Sequence, residues 1–199
     1  VLNSGADVLV LNHYGGNMGN SLTQAVQFGL RDKVVNNKNF EIIVPLYSRL
    51  MAKGAGANVK GIFGSTNWHW SLQDEGSKAF VKSFGTKYGF PPSQAAHTVY
   101  CQTLLYADAC NRAGTFNPCG VGEALEGFEF DGLGNGKTLY RADDHQCFKD
   151  VLVVKGKENP TSEFDLLEIV EVTPMEQVKY APDHPMFAGG DLGACNPGA

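Results

Sequence analysis

Polar and aromatic side chains follow three short apolar segments of the sequence. They are Asn12, His13 and Tyr14 after the first segment, Tyr47 and Ser48 after the second, and Trp68 and Trp70 after the third. If these segments are parallel strands of an open α/β sheet, ligands bind beyond their carboxyl ends, where loops and helix N-termini present unpaired N–H groups. The seven side chains offer hydrogen-bonding groups and aromatic faces, so the pattern predicts a binding site for a small molecule.

Each of these side chains also has a structural interpretation. A tyrosine offers an apolar face and one hydroxyl, so Tyr14 is suited to contact a ligand, but it is equally suited to brace the Gly15–Gly16 loop. Asn12 and His13 can donate hydrogen bonds to a carboxylate or an amide, and they can equally serve the local backbone. The sequence leaves both interpretations open for these residues.

Trp68 and Trp70 are the only tryptophans of the chain. In extended backbone, alternate residues point the same way, so the two rings would form an aromatic wall for an aromatic, amide-bearing or cationic ligand. The alternative is that one of them packs in the interior. Arg49 lies close to the second apolar segment, where it either pairs with an anion or faces solvent.

Two clusters have residue types that could support catalysis or metal binding. Asp143, Asp144 and His145 are consecutive, and His97 and Cys101 lie one helical turn apart. The first cluster lies between extended segments, and the second lies on a helix with an apolar stripe, so packing explains it better than a thiol nucleophile. Motifs for a nucleophile elbow, a P-loop or a dinucleotide fold are absent. We therefore expect no catalytic residue, metal or cofactor.

Hydrophobic periodicity predicts alternating strands and helices, which is typical of an α/β fold. The predicted strands are 6–11, 41–46, 59–64, 138–142, 151–155 and 166–172, with the first as a central, covered strand. Two helices are predicted from apolar residues at intervals of four, one around Leu22, Val26 and Leu30 and one around Phe80, Phe84 and Tyr88. A long helix is predicted after Pro91–Pro92, with Ala95, Val99, Leu104 and Ala107 on its buried face, and a short helix is predicted over 120–127. Residues 53–56 are interpreted as a glycine-rich connection and 182–199 as an extended tail.

Composition limits the possible partners. The 199 residues have a formal net charge of −5 and no cationic run, which argues against nucleic acid and anionic membranes as partners. No apolar stretch reaches the roughly 20 residues that span a bilayer. The chain begins with Val1 and leads directly into a strand pattern, so we expect that an N-terminal part, with any signal peptide, is missing or removed.

Five cysteines are present, and none has the spacing of a zinc site or redox motif. Cys110 and Cys119 flank a turn-rich segment, which predicts a disulfide between them and an oxidising compartment. The alternative is buried free thiols in a cytosolic protein. The sequence does not determine partners for Cys101, Cys147 and Cys195.

Three segments, in this order, carry a resemblance to a known family. They are Gly5 to Tyr14 with Asn17-Met18-Gly19, then Tyr88 through the prolines to Thr115, and then Leu125 to Gly132 followed by Arg141 to Gln146 and Val151 to Val154. Together they resemble the Leu/Ile/Val-binding periplasmic proteins of branched-chain amino-acid ABC transporters. The resemblance extends to about Pro174.

The resemblance implies a type I periplasmic-binding-protein fold, in which two Rossmann-like lobes enclose a ligand cleft. Residues 1–66 would belong to the second lobe, 67–140 to the returning part of the first, and 141–199 to the final strands of the second lobe and the tail. The implied function is non-enzymatic: capture of a small solute outside the cytoplasm for the permease subunits of an ABC importer. The chain would be the C-terminal portion of such a protein.

The same fold also occurs in ligand sensors, so a receptor domain is the main alternative function. A hydrolase using His13, Cys101 or the Asp-Asp-His cluster is a third hypothesis. Family members often place a polar or acidic side chain at the position of Tyr47, where it meets an amino group. Because residues 44–49 contain no Asp or Glu, we expect an aromatic, amide or carboxylate ligand rather than an ordinary branched-chain amino acid.

Overall fold

The computed structural model describes residues 1–185, and within this range strands and helices alternate as the sequence predicted. The strands are β1 (Val8–Val10), β2 (Val34–Val35), β3 (Lys38–Asn39), β4 (Glu41–Val44), β5 (Phe63–Thr66), β6 (Glu129–Phe130), β7 (Thr138–Tyr140), β8 (Cys147–Phe148), β9 (Val151–Gly156) and β10 (Leu167–Thr173). The helices are α1 (Gly15–Gln27), α2 (Arg49–Ala55), α3 (Glu75–Tyr88), α4 (Gln94–Ala113), α5 (Pro118–Leu125) and α6 (Met175–Val178), and a 3₁₀ turn spans Gly56–Val59. Most of the predicted tail, 186–199, and Cys195 lie outside the described residues.

A five-stranded sheet in the order β1, β4, β5, β9, β10 organises the larger core. Strands β1, β4 and β5 run parallel, β9 runs antiparallel to β5, and β10 runs antiparallel to β9. Helices α1 and α2 pack against this sheet and bury Met18, Leu22 and Ala52 in the same cluster as Val44 and Leu152. The three parallel strands therefore end at one edge of the sheet, which is where the predicted site residues follow.

Helix α2 was missed by the sequence interpretation, which treated 53–56 as a connection. The helix starts after Ser48, whose Oγ accepts a hydrogen bond from the N–H of Met51 at 3.2 Å. This is a standard N-cap, and a serine before an apolar run was the signal that could have revealed it. The predicted third strand begins at Phe63 rather than at Val59, because Val59 is the last residue of the 3₁₀ turn.

Strand β1 does not have the predicted central position. It lies at the edge of the sheet in the described residues, and its side chains Val8 and Val10 are 43% and 50% exposed. A continuous apolar run is typical of a strand that other elements cover on both faces. The run alone does not indicate whether such covering elements are present.

Helices α3, α4 and α5 form a second group with the small sheet β6, β7, β8. Each helix begins at a side-chain N-cap, namely Asp74, Ser93 and Asn117, and α3 ends at Gly89 in the left-handed region at φ +76°. The predicted boundary at Pro91–Pro92 is therefore confirmed, with Gly89 providing the stop.

The predicted buried face of α4 is wrong. Val99 is 67% exposed and Leu104 is 44% exposed, whereas the buried side chains are His97, Cys101, Leu105, Ala109 and Cys110. A polar residue, His97, lies at the centre of the packed face because it stacks on an aromatic ring of the preceding segment. Apolar spacing alone therefore selected the wrong side of the helix.

The predicted Cys110–Cys119 disulfide is also wrong, because Cys110 is a buried free thiol. Its side chain packs with Ala109 and Val121 where α4 meets α5. Proximity along a turn-rich segment does not bring two sulfur atoms together when one of them faces a helix interface. Within the described residues, Cys101 and Cys147 are also free thiols.

Candidate functional site

Tyr14 and Ser48 line one cavity of about 300 Å³ between the ends of β1 and β4. The remaining lining residues are Gly15, Gly16, Leu50, Met51 and Gly54. Tyr14 is 56% exposed and Ser48 is buried, so the cavity has an open aromatic side and one buried serine in a largely apolar lining. Of the predicted site residues, these two are the pair that the structure brings together.

The start of α1 determines the chemistry of this cavity. Tyr14 precedes the helix in extended conformation and provides no side-chain cap, and Gly15 follows with φ +58°. The first N–H groups of a helix have no partner within the helix, and they attract anions and hydrogen-bond acceptors. The cavity can therefore accept a polar group of a solute while the Tyr14 ring covers an apolar part.

Asn12 and His13 do not reach this cavity. His13 is exposed and its Nδ1 lies 2.8 Å from the Ser21 hydroxyl, on a separate cavity of about 620 Å³ that Leu9, Leu11 and Phe28 also line. Asn12 is exposed and lines neither cavity.

Tyr47 is buried in the main core and lies outside the cavity lining. Its ring packs directly on Gly64 of β5, where an added Cβ would come within 2.7 Å of the Tyr47 ring. Burial raises the pKa of the Tyr47 hydroxyl, which has no hydrogen-bond partner in the described residues. The prediction that Tyr47 is a ligand contact is not supported by this placement.

Trp68 is also buried, with 1% of its surface exposed. Its ring stacks on His97 at a centroid distance of 4.3 Å, and its Nε1 donates a hydrogen bond to the Ser77 hydroxyl at 2.9 Å. Phe80 packs edge-on against it at 5.8 Å. Trp68 thus forms the centre of the aromatic core between α3 and α4.

Trp70 lines a different cavity, of about 350 Å³, with Phe90 and Phe164. The two tryptophans therefore do not form the predicted aromatic wall. The alternation rule applies to extended strands, but β5 ends at Thr66, and the chain bends before it reaches Trp70.

Arg49 does not face solvent, which was one of its two interpretations from the sequence. It is 5% exposed, and its guanidinium carbon lies 5.3 Å from the ring centre of Phe164 and 5.7 Å from that of Phe90. The sequence offered no signal for this arrangement, because the two rings come from distant loops.

The family model for the periplasmic binding protein matches residues 1–161 of the chain. The chain belongs to this family. A branched-chain amino acid ABC transporter periplasmic ligand-binding protein from Burkholderia xenovorans LB400 is similar, with 26% identity, a TM-score of 0.70, and coverage of 87% of this chain and 46% of that one. No curated protein sequence matches the chain.

Two further solved structures share the fold. A periplasmic binding protein from Burkholderia mallei has 22% identity, a TM-score of 0.76, and coverage of 90% of this chain and 46% of that one. An ABC transporter solute-binding protein from Rhodopseudomonas palustris BisB5, in complex with 3,4-dihydroxy benzoic acid, has 15% identity, a TM-score of 0.70, and coverage of 87% and 46%. The chain spans less than half the length of these relatives.

In this periplasmic binding protein chain, His97 and Cys101 are close but lack the properties of a nucleophilic pair. The Cys101 Sγ lies 3.4 Å from the His97 Nε2. Burial lowers the pKa of His97 to about 4 and raises the pKa of the Cys101 thiol. Both groups are therefore neutral at pH 7, whereas a reactive cysteine needs a thiolate.

Two members of the Asp143, Asp144 and His145 cluster contact side chains outside the cluster. Asp144 pairs with Arg141, and the His145 Nε2 lies 2.8 Å from a Glu126 carboxylate oxygen. No group of three metal-ligating side chains occurs within residues 1–185.

Across the same range, none of the helices has both the length and the apolar character that crossing a bilayer requires.

A buried histidine predicts acid sensitivity of the fold. Burial, followed by the charge of Lys157, lowers the pKa of His69 from 6.5 to about 4. Below pH 6.5 the unfolded chain takes up a proton at His69 that the folded chain does not take up. The contribution of neutral His69 to the free energy of unfolding is therefore fully present above pH 6.5 and is lost as the pH falls toward 4. We expect His69 to lower the free energy of unfolding by about 2 to 3 kcal/mol between pH 7 and pH 4.5.

Urea unfolding at several pH values checks this expectation. His69→Gln should show a flatter pH dependence than the original chain, because the variant lacks the buried imidazole. Equal slopes for the original chain and His69→Gln would contradict the assignment.

Proposed function

We propose that this protein is the extracytoplasmic solute-binding subunit of an ABC importer. The observation that carries the proposal is the cavity of Tyr14 and Ser48, at the carboxyl ends of two parallel strands, in a chain that belongs to the periplasmic binding protein family. Its partners are a small solute and the permease subunits of the importer, without nucleic acid or membrane insertion. It binds the solute without changing it, so it has no catalytic residues and no cofactor.

Closure of two lobes encloses the solute in this proposal. Residues 1–66 and 141–199 belong to one lobe and residues 67–140 to the other. The return of β9 to pair antiparallel with β5 supports this division, since the intervening helices α3 to α5 lie outside the five-stranded sheet. A cleft between lobes buries most of a small ligand when it closes, and the closed form is the one that docks on the permease.

The proposed solute is an aromatic, amide or carboxylate compound. The end of β4 has no Asp or Glu from Val44 to Arg49, so an ammonium group beside Ser48 would lack a counter-charge there. Leaving a charge buried without a partner costs several kcal/mol. The solved relative in complex with 3,4-dihydroxy benzoic acid supports an aromatic acid as a solute within this fold.

Isothermal titration calorimetry tests the proposal directly. We expect binding of at least one compound from a panel of benzoate, 3,4-dihydroxybenzoate, urea and short amides, and weaker binding of leucine, isoleucine and valine. Tyr14→Ala should reduce the affinity for the preferred compound roughly tenfold, because it removes the aromatic rim of the cavity.

Tyr106→Ala is the matched control, since Tyr106 is 52% exposed on α4 and lies outside the cavity. It should leave the affinity unchanged. Chemical turnover of a bound compound, or no binding of any panel member at millimolar concentration, would contradict solute capture. Tight leucine binding would contradict only the proposed ligand class.

A further inference from the structure

Three chain segments connect the five-stranded sheet with the helix group and its small sheet in residues 1–185. The first connection, residues 67–74, leads from β5 to α3, and the second, residues 149–150, leads from β8 to β9. The third is Pro174, after which the chain returns to the small sheet, where the Arg141 guanidinium donates a hydrogen bond to the carbonyl of Tyr180. Any change in the angle between the two parts must therefore bend the chain at these connections.

The side chain of Asn135 joins the first connection to the second. Its Nδ2 donates one hydrogen bond to the backbone carbonyl of Asn67 at 2.7 Å and another to that of Asp150 at 2.8 Å. Because carbonyl oxygens can only accept, these two partners fix the orientation of the side-chain amide and use both of its protons. Asn135 is 5% exposed, so little water competes for the two bonds.

The carboxylate of Asp150 joins the second connection to the third. Its Oδ1 accepts a hydrogen bond from the backbone N–H of Met175 at 2.8 Å, directly after Pro174. The same carboxylate packs on Gly136, where an added Cβ would lie 2.7 Å from its Oδ2. The side chains of Asn135 and Asp150 thus link all three connections.

The turn that carries Asn135, residues 132–136, is fixed to the start of α3. An added Cβ on Gly76 of α3 would lie 2.3 Å from the carbonyl oxygen of Gly132, so the two backbones are in direct contact. The N–H of Asn135 donates to the Asp74 carboxylate at 3.4 Å, and Asp74 is also the N-cap of α3. The backbone of Asn135 has φ +59°, a left-handed conformation that asparagine adopts more readily than most residues. The Asn135 amide therefore reaches the connections from a firmly held support.

We infer that Asn135 and Asp150 are positioning residues, which hold the three connections side by side and so set the angle between the five-stranded sheet and the helix group. In the proposed function this angle decides whether the cleft is open or closed, and the inference rests on that function only in this respect. Asn135 lies outside the lining of the cavity of Tyr14 and Ser48. Its effect on a solute is therefore exerted through the angle and not through contact.

Hydrogen exchange of the Met175 backbone amide, followed by NMR, tests the link between the connections. Asn135→Gly removes the side chain, and glycine adopts the left-handed backbone without strain. We expect the Met175 amide to exchange roughly tenfold faster in this variant, although its own acceptor, Asp150, is unchanged. The buried amides of Val154 in β9 and Ala109 in α4 should keep their exchange rates.

Asn58→Ala is the matched control. The Asn58 amide also donates two hydrogen bonds, to the Thr23 hydroxyl at 3.0 Å and to the Ala55 carbonyl at 3.1 Å, but both partners lie in the same part of the molecule as Asn58. This variant should leave the exchange of the Met175 amide unchanged. Asp150→Ala removes the acceptor itself, so it should accelerate that exchange roughly 10- to 100-fold.

Calorimetric titration measures the consequence for a compound that binds the original chain. Asn135→Gly should weaken its affinity roughly three- to tenfold, because less ordered connections raise the entropic cost of closing the cleft. Asn58→Ala should leave the affinity unchanged. An affinity that is the same in Asn135→Gly as in the original chain overturns the role in closure.

The exchange experiment needs no solute, so it decides the link even if the panel shows no binding and solute capture fails. Unchanged exchange of Met175 in Asn135→Gly overturns the inference, as does equal acceleration in Asn58→Ala or in the amides of Val154 and Ala109. If Asn135→Gly does not fold, the original chain provides the measurement. The side-chain NH₂ protons of Asn135 should exchange at least about tenfold more slowly than those of the exposed Asn12, and equal rates overturn the inference.

Discussion

Replacement of Gly156 by alanine is expected to lower the free energy of unfolding by more than about 3 kcal/mol. A Cβ at this position would lie 1.7 Å from the carbonyl oxygen of Val59, which is far inside van der Waals contact. The backbone cannot move aside easily, because the Gly156 N–H donates to Ile62 at 2.9 Å and its carbonyl accepts from Gly61 at 3.0 Å. The added methyl group must therefore separate β9 from the segment that leads into β5.

Urea unfolding followed by circular dichroism measures this loss. Gly85→Ala is the matched control, since Gly85 lies within α3 and an added Cβ would meet no atom within 4 Å. Alanine has the higher helix propensity, so this control should gain about 0.5 to 1 kcal/mol. A Gly156→Ala variant as stable as the original chain would show that β9 and the 3₁₀ turn are not packed as described.

Trp68→Ala is expected to cost about 3 to 5 kcal/mol of unfolding free energy. The substitution removes a buried ring that stacks on His97 and leaves a cavity between α3 and α4. It also leaves the Ser77 hydroxyl without the donor that now reaches it at 2.9 Å. Loss of packing and loss of a buried hydrogen bond act in the same direction.

Two variants separate these contributions in the same unfolding experiment. Trp68→Phe keeps most of the ring packing and loses the N–H, so it should be less destabilising than Trp68→Ala. Phe116→Ala removes an aromatic ring that is 81% exposed, and it should change stability by less than about 0.5 kcal/mol. A loss below 1 kcal/mol for Trp68→Ala would contradict the buried position and restore Trp68 as a candidate surface contact.

The structure gives the predicted site residues several different positions. Tyr14 and Ser48 line a cavity, while Tyr47 and Trp68 stabilise the two cores beneath the strand ends. Trp70 belongs to a separate cavity that Phe90 and Phe164 complete. Under the proposed function, Tyr14 contributes to ligand binding, whereas the nearby Tyr47 and Trp68 contribute to stability, so mutations at these positions are expected to affect different measurements.

The amino-acid sequence by itself determined the order of the main strands and helices other than α2, and it placed the ends of the parallel strands at one edge of the sheet. Local causes explain this success: apolar runs define β4 and β9, and Pro91–Pro92 separates α3 from α4. The motifs that resemble the family also lie along continuous segments. Because parallel strands must end at one sheet edge, Tyr14 and Ser48 could be placed near each other without coordinates.

Only the tertiary structure decided which side chains are buried and what they contact. Tyr47 lies in the interior because Gly64 allows its ring to approach closely, and Trp68 lies in the interior because it stacks on His97. Arg49 is enclosed by the rings of Phe90 and Phe164. The exposed face of α4 and the free thiol of Cys110 were likewise decided by contacts between different elements. Strand and helix periodicity reports which residues share a face, but burial and pairing arise from contacts between segments far apart in the chain, which no local pattern records.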